Sequence, residues 1–368
     1  MRISPSPPLC SLVVPLFNKE RTIESCLASA REQSVSSLEI IVVDDGSSDG
    51  GAALVQQVAA QDGRVRLISQ ANGGPSAARN VGLQAARGSY VAFLDADDRL
   101  APGFFEELIA LITREHAAAA RCAQLFVEGT LDEKSGKGGK NQHIRSVSGQ
   151  DSTLPGGALY RRLFADVDVP LMSASSALYK RDVLARYQIH FNEELRHLED
   201  ILFVAQLYAR DLRIALSSQA LYIYQHQTGS SLSDDRTDLA ATLPPFVAAL
   251  EKLEGGSTVA TAERQARLRY CLLVILTVLA SPAPRTAEGA TAAGEAEAAD
   301  AAAKAGTFYR DFLRSELVRN LCALAQPELI PSSLSIALNL ARRDNPRALN
   351  AYCATLARAR HVRKLLRS

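Results

Sequence analysis

The sequence predicts an α/β protein built on a doubly wound, mostly parallel β-sheet. Near the start of the chain, four short runs rich in Val, Ile and Leu are bounded by turn residues, as strands are. Stretches with helical spacing separate these runs, and such alternation places helices on both faces of a parallel sheet. The 368 residues, 47% of them hydrophobic, are enough to bury a full core.

The predicted strands and helices of this first part alternate regularly. The strands are predicted at 9–16, 38–44, 65–69 and 90–94. The helices between them are predicted at 21–33, 50–61 and 76–86. Because open parallel sheets bind ligands at the carboxyl ends of their strands, the residues directly after each strand are the first candidates for a functional site.

Predicted strands and helices alternate less regularly after the fourth strand. Residues 128–157 are rich in Gly, Lys and Ser, which predicts a long mobile loop of the kind that closes over a site as a lid. A helix at about 198–210 and a short strand at 221–224 follow, and helical patterns dominate from residue 239 onward. We therefore expect an α/β domain over 1–235 and a helical C-terminal region over 236–368, with an Ala- and Gly-rich linker at about 281–306.

Composition argues against several classes of protein. With 41 basic and 40 acidic side chains, the chain has no global field that would attract nucleic acid. Its six cysteines lack the spacing of a zinc site and fit free thiols in a reducing compartment. The chain starts without the apolar core of a signal peptide, and its longest apolar run, 272–280, is far shorter than the roughly 20 residues of a membrane-spanning helix. We expect a cytoplasmic protein.

The last segment, 341–368, is rich in Arg and Lys and contains one acidic residue, Asp344. Clustered positive charge is attracted to anionic lipid headgroups. Peripheral contact with the inner face of a membrane is one interpretation, and a solvated basic helix is the alternative.

An acidic group, Asp95-Ala96-Asp97-Asp98, follows the fourth strand. Carboxylates separated by one residue on extended backbone face the same cavity, where they repel each other unless a cation lies between them. Mg²⁺ and Mn²⁺ prefer oxygen ligands, often one or two carboxylates together with substrate phosphates. The group therefore suits a metal complex of a nucleotide diphosphate. A solvated turn whose Asp residues cap the next helix is the alternative.

Two more candidates follow the second and third strands. Asp45 ends the second strand, where a carboxylate suits a ribose hydroxyl or a base imide, although a simple Asx turn explains it as well. Arg79 lies one turn inside the helix that follows Gly73 and Gly74. A guanidinium there suits a phosphate or a base, and a surface arginine is the alternative.

Later in the chain, Glu199 and Asp200 precede an apolar run at 201–204. Desolvation at a cleft edge would raise a carboxyl pKa toward the range of a general base. Stabilisation of a helix N-terminus, worth about 0.3–1 kcal/mol, is the alternative. His226 follows the strand at 221–224, and a neutral imidazole there suits a metal or a phosphate, although a lone histidine is more often structural.

Taken in order, these motifs resemble the family 2 glycosyltransferases of the GT-A fold over roughly residues 9–233. The motifs are VVPLFNKE at 13–20, EIIVVDDGSSD at 39–49, NGGPSAARNVGLQAARGSYVAFLDADD at 72–98, HLED at 197–200 and YQHQTGSSLS at 224–233. The resemblance implies a GT-A catalytic domain over 1–235 and a C-terminal helical extension. It also implies an inverting enzyme that moves a sugar from a nucleotide diphosphate sugar, UDP-linked, to a hydroxyl of a glycan or lipid-linked acceptor in cell-surface polysaccharide or glycolipid synthesis.

The same resemblance implies residue roles. The donor would be held by Pro15, Phe17, Asn18, Glu20, Asp45, Arg79 and Asp95, with Asp45 toward a uracil-type base. Asp97 would bind the Mg²⁺ or Mn²⁺ ion that bridges the diphosphate, with help from His226. Asp200 would be the catalytic base, and Glu199 is the second candidate because two adjacent acids cannot be ranked from sequence.

Three other classes of protein share parts of this pattern. A dinucleotide-binding dehydrogenase would place G-x-G-x-x-G after its first strand, where this chain has Pro15-Leu16-Phe17-Asn18. A sugar nucleotidyltransferase would carry a Gly-rich basic loop at the same place, and the sequence has none there. A non-catalytic sugar-nucleotide-binding scaffold of the same fold stays open, because a fold alone does not determine activity.

Overall fold

The structure, a computed structural model, describes residues 7–131, 138–165, 173–226 and 239–255. The chain divides into two compact units, Met1–Asp234 with Ala248–Val259 and Asp235–Val247 with Ala260–Ser368. Of the second unit, only 239–247 is described. The predicted linker at 281–306, the helices predicted beyond residue 255 and the basic segment 341–368 lie outside the described residues.

The first unit contains ten described strands and seven described helices. The strands are β1 Cys10–Leu16, β2 Leu38–Asp44, β3 Val65–Ser69, β4 Tyr90–Phe93, β5 Arg99–Leu100, β6 Ala119–Leu131, β7 Gly138–Arg145, β8 Ser152–Pro155, β9 Ala177–Lys180 and β10 Arg213–His226. The helices are α1 Ile23–Arg31, α2 Gly51–Gln61, α3 Pro75–Ala85, α4 Phe104–Arg114, α5 Gly156–Ala165, α6 Arg181–Arg186 and α7 Glu199–Tyr208. A further helix, α8, covers Leu239–Gly255. Each helix in the described ranges is too short or too polar for a bilayer-spanning segment.

The strands form one sheet in the order β3-β2-β1-β4-β9-β6-β10-β5. The first four are parallel neighbours, and β6 is parallel to β10. Because β9 is antiparallel to both β4 and β6, the β6–β10 pair runs in the same direction as the first four strands. The predicted α/β class with a mostly parallel sheet is confirmed.

Helices cover both faces of the sheet, as the continuous apolar strands predict. Leu12 and Val14 point to the face where α1 packs, and they share a core with Cys26 of that helix. Val13 points to the opposite face, against α3, where a Cβ added at Gly82 would overlap its side chain. The alternation of side chains along β1 thus buries both faces.

The predicted elements of the first part are confirmed to within about two residues at each end. The prediction of a long loop over 128–157 is wrong for the described residues there. Strand β6 continues to Leu131, β7 pairs antiparallel with it, and β8 pairs antiparallel with β10. Phe126 lies opposite His143 in the β6–β7 pair, with ring centroids 4.8 Å apart. Such cross-strand pairs stabilise a sheet. The loop was predicted from the Gly, Lys and Ser content of the segment, which carries no information about such pairs.

The strand predicted at 221–224 is part of the longer β10. The β10–β6 pairing shifts register between Leu216 and Ala220 and again between Ala220 and Tyr222. Such irregularities interrupt the period-two alternation from which strands are predicted. They explain why the first half of β10 escaped prediction.

The chain order of the sheet reverses between β1 and β4, which are neighbours although β2 and β3 intervene in the sequence. A reversal of this kind opens a crevice outside the carboxyl ends of the two strands. The residues after β1, β2 and β4 therefore face one another.

Candidate active site

Hydrogen bonds join the loops after β1 and β2. Asn18 Oδ1 accepts the Ser48 backbone N–H at 2.8 Å, and Glu20 Oε2 accepts the Gly50 N–H at 3.1 Å. A Cβ at Gly50 would lie 2.7 Å from Glu20 Oε1, so glycine permits this close approach. Asn18 has a φ of 51°, a left-handed conformation that asparagine tolerates. The predicted donor residues Asn18 and Glu20 thus shape this wall of the crevice.

Phe17 and Pro15 belong to the same wall. The ring of Phe17 is 47% exposed at the carboxyl end of β1, and Pro15 is partly buried within the strand. The contact of both residues with a donor stays a prediction.

Asp45 is buried at the end of β2. Its carboxylate accepts three hydrogen bonds of 2.8 Å, from Gln70 Nε2, Gly73 N and Gly74 N. The alternative of a simple Asx turn is not made by Asp45: Asp44 Oδ1 accepts the Ser47 N–H three residues on at 3.0 Å, and the Asx turn before α2 is made by Asp49, which accepts the Gly51 N–H at 3.0 Å. Asp45 therefore holds the loop between β3 and α3 in place, and its contact with a base stays a prediction.

Arg79 lies on α3 and is 6% exposed, so the alternative of a surface arginine is wrong. Its Nη2 donates to Asp95 Oδ1 at 2.8 Å, and its Nη1 donates to Glu199 Oε1 at 3.1 Å. The same Nη1 lies 3.5 Å from Asp200 Oδ1. One guanidinium thus faces three carboxylates that were predicted for the site. A direct role of Arg79 toward the donor stays a prediction.

Asp200 occupies the first turn of α7 together with Glu199, and its side chain is 23% exposed. Burial raises the pKa of the Asp200 carboxyl to about 7, against a lowering by Arg79 and with further raising by Glu199 and Asp95. Both acids also lie where a helix N-terminus favours negative charge, as the alternative proposed. A carboxyl group that titrates near neutral pH suits a general base, which favours Asp200 for that role.

The two oxygens of Asp200 have different surroundings. Oδ2 accepts the Ala174 backbone N–H at 3.2 Å. Oδ1 is buried and accepts no hydrogen bond from the described residues. Arg79 faces this oxygen at 3.5 Å, so the only hydrogen bond that the carboxylate accepts from the described residues is the one at Oδ2.

Sequence reasoning missed Ala174 and its neighbour Ser175. Ser175 Oγ donates to Asp95 Oδ2 at 3.2 Å, so the 173–176 segment contacts two of the three carboxylates that surround Arg79. A backbone N–H and a serine hydroxyl have no sequence pattern that distinguishes them, and this chain offered no signal for either.

Lys19 is a second residue that sequence reasoning missed. Its Nζ lies 2.6 Å from Oδ2 of Asp97, and both side chains are partly exposed. Lys19 belongs to the VVPLFNKE motif, and its place in that motif is the feature by which sequence reasoning could have found it. The predicted metal ligand thus has a cationic partner within the chain.

Asp98 is 1% exposed, and the alternative of a solvated acidic turn is wrong for it. Tyr222 OH donates to its Oδ2 at 2.6 Å, and the Gln225 N–H donates to its Oδ1 at 2.9 Å. Burial raises the pKa of Asp98 well above its usual range, with further raising by Asp97. Helix α4 is capped by Gly103 rather than by an Asp. Asp98 therefore fastens the end of β10 to the turn after β4.

The acidic turn after β4 is the predicted site of a divalent cation. Among the described residues, no group of three or more His, Cys, Asp and Glu side chains is arranged to hold a metal. His226 ends β10 and stacks on Phe126, with ring centroids 5.9 Å apart. Gln225 Nε2 donates to the Asp97 carbonyl at 3.0 Å, which brings this strand end to the acidic turn. Since Mg²⁺ commonly takes one or two carboxylates and completes its shell with phosphates, Asp97 is a suitable ligand, and the role of His226 stays a prediction.

The chain is similar to known glycosyltransferases in sequence. Residues 11–188 match the family described as glycosyl transferase family 2. The uncharacterized glycosyltransferase EpsJ of Bacillus subtilis (strain 168) is 30% identical over 223 residues, which are 61% of this chain and 62% of EpsJ. The succinoglycan biosynthesis protein ExoO of Rhizobium meliloti (strain 1021) is 33% identical over 237 residues, which are 61% of this chain and 62% of ExoO. The chain thus spans less than two thirds of the length of these relatives.

The chain is also similar to solved structures. The crystal structure of S. aureus TarS 1-349 in complex with UDP-GlcNAc aligns with 95% of this chain and 92% of its own, with a TM-score of 0.63 and 21% identity. At this identity the likeness shows the fold, and the predicted GT-A fold class is confirmed. The ordered motifs, the crevice at the strand ends and the family match agree that residues 11–188 form a region similar to glycosyl transferase family 2.

Proposed function

We propose that the protein is an inverting glycosyltransferase that moves a sugar from a UDP-linked donor to an acceptor hydroxyl. The observation that carries the proposal is the Asp200 carboxyl, with a pKa raised to about 7 by burial and an Oδ1 that accepts no hydrogen bond from the described residues. The family match and the names of the relatives support the class of reaction. The TarS complex, which contains UDP-GlcNAc, supports a UDP-linked donor.

The donor would lie along the loops after β1, β2 and β4. The exposed ring of Phe17 offers an apolar face for a nucleobase. The proposed donor residues are Pro15, Phe17, Asn18, Glu20, Asp45, Arg79 and Asp95. Of these, Asp45 acts through the Gly73–Gly74 turn that it holds, because its carboxylate is already occupied by that turn.

The transfer step needs one base and one displacement. The Asp200 carboxylate accepts the proton of the acceptor hydroxyl while the acceptor oxygen bonds to the anomeric carbon. The bond from that carbon to the diphosphate breaks, and the nucleotide diphosphate leaves with the bonding electrons. A single displacement inverts the configuration.

The positive charge of Arg79 acts on the carboxylates around this step. It faces Asp200 while that carboxyl is ionised, and its bonds to Asp95 and Glu199 remain once Asp200 is neutral. A Mg²⁺ or Mn²⁺ ion held by Asp97, with His226 as a further candidate ligand, would stabilise negative charge on the diphosphate.

The acceptor part of the proposal is a glycan or a lipid-linked glycan in cell-surface polysaccharide or glycolipid synthesis. The name of ExoO, a succinoglycan biosynthesis protein, supports this class. The basic segment 341–368, outside the described residues, would keep a cytoplasmic enzyme on anionic headgroups. Flotation of the full chain with anionic liposomes tests this part, and equal recovery of the full chain and of a form truncated at residue 341 would contradict it.

The proposal as a whole is tested by release of nucleotide diphosphate from a panel of nucleotide sugars, with a glycan acceptor panel and with Mn²⁺ or EDTA. Wild type is expected to turn over one UDP-sugar in Mn²⁺, and Asp200→Asn and Asp97→Ala are expected to lose that turnover. Glu194→Gln, at an exposed acid on the loop before α7, is the matched control and is expected to retain it. Donor binding by wild type without turnover on any acceptor would instead support a non-catalytic scaffold.

A further inference from the structure

The 173–176 segment precedes β9 and contacts Asp200, the proposed base, and Asp95, a proposed donor residue. Ala174 N–H donates to Asp200 Oδ2, and Ser175 Oγ donates to Asp95 Oδ2, each at 3.2 Å. These two bonds fix one oxygen of each carboxylate. The orientation of both acids therefore depends on where this segment lies.

The segment does not hold this shape by backbone preference alone. Ser176 has a φ of 54°, in the left-handed region that costs energy for residues other than glycine. A conformation of this kind persists when its surroundings impose it. Side chains beneath the segment provide that constraint.

Arg121 of β6 is 2% exposed and lies directly beneath the segment. Its Nη2 donates to the carbonyl oxygen of Ser173 at 2.6 Å, and it reaches the carbonyl of Ser175 and the hydroxyl of Ser176 at 3.4 Å each. The planar guanidinium presents several donors at fixed angles. One side chain therefore holds three residues of the segment.

Tyr179 of β9 completes the support. Its hydroxyl donates to the Ala174 carbonyl at 2.7 Å and lies 3.4 Å from Arg121 Nη1. With this bond, each residue of the 173–176 segment is held by Arg121 or by Tyr179.

We propose that Arg121 is a positioning residue that aligns Asp200 and Asp95 through the 173–176 segment. The inference rests on the proposed function for its catalytic meaning. Its structural part, that Arg121 governs the bond from Ala174 to Asp200, is tested separately. Nothing in the sequence patterns singled out Arg121, which stands in the alanine-rich start of β6.

Loss of the Arg121 donors would release the Ala174 N–H from Asp200 Oδ2. That hydrogen bond lowers the pKa of Asp200, so its loss raises the pKa further above about 7. The other groups that face Asp200 keep their charges in such a variant. They are Arg79 from α3, Asp95 after β4, Glu199 from α7 and Tyr179 from β9.

The test uses the full chain labelled with ¹³C at the aspartate carboxyl carbons, with the Asp200 signal assigned by its loss in Asp200→Asn. In Arg121→Gln, we expect the Asp200 titration to move up by on the order of one pH unit, as the loss of a hydrogen bond to a charged group implies. We expect kcat to fall about tenfold to a hundredfold, the effect of a small misplacement of a reacting group, while the donor KM changes by less than about threefold.

Two further variants make the test decisive. Tyr179→Phe changes no charge and removes the bond to Ala174, so it is expected to shift the Asp200 titration in the same direction by less. Arg66→Gln removes a guanidinium of β3 that donates to the Ala85 carbonyl, and it is expected to leave both readouts unchanged.

The inference is overturned if Arg121→Gln leaves the Asp200 titration and kcat at the wild-type values, whatever Tyr179→Phe does. Should Arg121→Gln not fold, Arg121→Lys, which keeps the charge and loses the planar set of donors, takes its place in both readouts. A failure of the proposed function looks different, because Asp200→Asn would then transfer sugar as fast as wild type. In that case the titration still decides whether Arg121 positions Asp200.

Discussion

Asp200 Oδ1 lies 3.5 Å from Arg79 Nη1, within ion-pair distance, and accepts no hydrogen bond from the described residues. Asp95 and Glu199 accept the hydrogen bonds of the same guanidinium at 2.8 and 3.1 Å. Arg79 is thus held by two acids while it attracts the third.

The rate of transfer should depend on the ionisation of Asp200. Its pKa is raised to about 7, and a base acts only when it is deprotonated. We expect kcat/KM to rise with pH through a limb near this value and to level off above it. The limb should persist in Glu194→Gln, whereas a rate that is flat from pH 5.5 to pH 8 would exclude Asp200 as the base.

The Asp200 carboxyl should also make the free energy of unfolding depend on pH. The folded pKa of about 7 lies above the ordinary value of 3.8, so the stabilising contribution of the neutral carboxyl is present below 3.8 and is lost as pH rises through 7. Asp200→Asn, which cannot ionise, should therefore be more stable than wild type at pH 8, by up to about 4 kcal/mol.

The comparison is made by urea unfolding at pH 5 and pH 8, with Asp211→Asn as an exposed control. The stability gap between Asp200→Asn and wild type should widen with pH, and no such trend is expected for the control. A gap that is constant between the two pH values would mean that burial does not perturb Asp200.

Removal of Arg79 should lower the free energy of unfolding, because the three carboxylates that face it would lose their common partner. We expect Arg79→Met to lose about 3–5 kcal/mol of unfolding free energy at pH 8, the usual cost of leaving a buried charge without its partner. Arg114, with a side chain that is 59% exposed in its pair with Glu115, is the control. Arg114→Met should lose about 0–1 kcal/mol, and equal losses in the two variants would contradict the role given to Arg79.

The strands and helices from β1 to β4 were predictable because the pattern of apolar residues that defines each of them lies within a few adjacent positions of the sequence. Leu12 and Val13 face opposite sides of the sheet, and the short continuous apolar run that contains them is visible in the sequence as a strand buried on both faces. The candidate acids were found for a similar reason, since strand ends carry polar residues in a parallel sheet.

The contacts between these residues were not predictable in the same way. Arg79 and Glu199 are 120 positions apart, and no local pattern reports that they meet. Ala174 and Ser175 act through a backbone N–H and a hydroxyl, and the guanidinium of Arg121 acts on backbone carbonyls. Such groups occur throughout any chain. The strands β7 and β8 were missed because their pairing depends on partners elsewhere in the sheet.

The ion pair between Lys19 and Asp97 should compete with a divalent cation. The ammonium lies 2.6 Å from Asp97 Oδ2, and the pair is partly exposed, where such pairs contribute up to about 1 kcal/mol. We expect Lys19→Met to bind Mn²⁺ up to about fivefold more tightly without nucleotide, as measured by electron paramagnetic resonance. Asp97→Ala should bind it more weakly, with Asp211→Ala as control. Equal affinities in all of these proteins would remove Asp97 from the proposed metal site.

The central claim, that Asp200 is the base of a sugar transfer, is tested most directly by single-turnover transfer with Asp200→Asn and Glu199→Gln. Once the donor and the acceptor are identified, Asp200→Asn should lose at least about a hundredfold in rate, the usual contribution of a general base, while its affinity for UDP stays that of wild type. Glu199→Gln should lose less. An Asp200→Asn variant that transfers sugar at the wild-type rate would contradict the account.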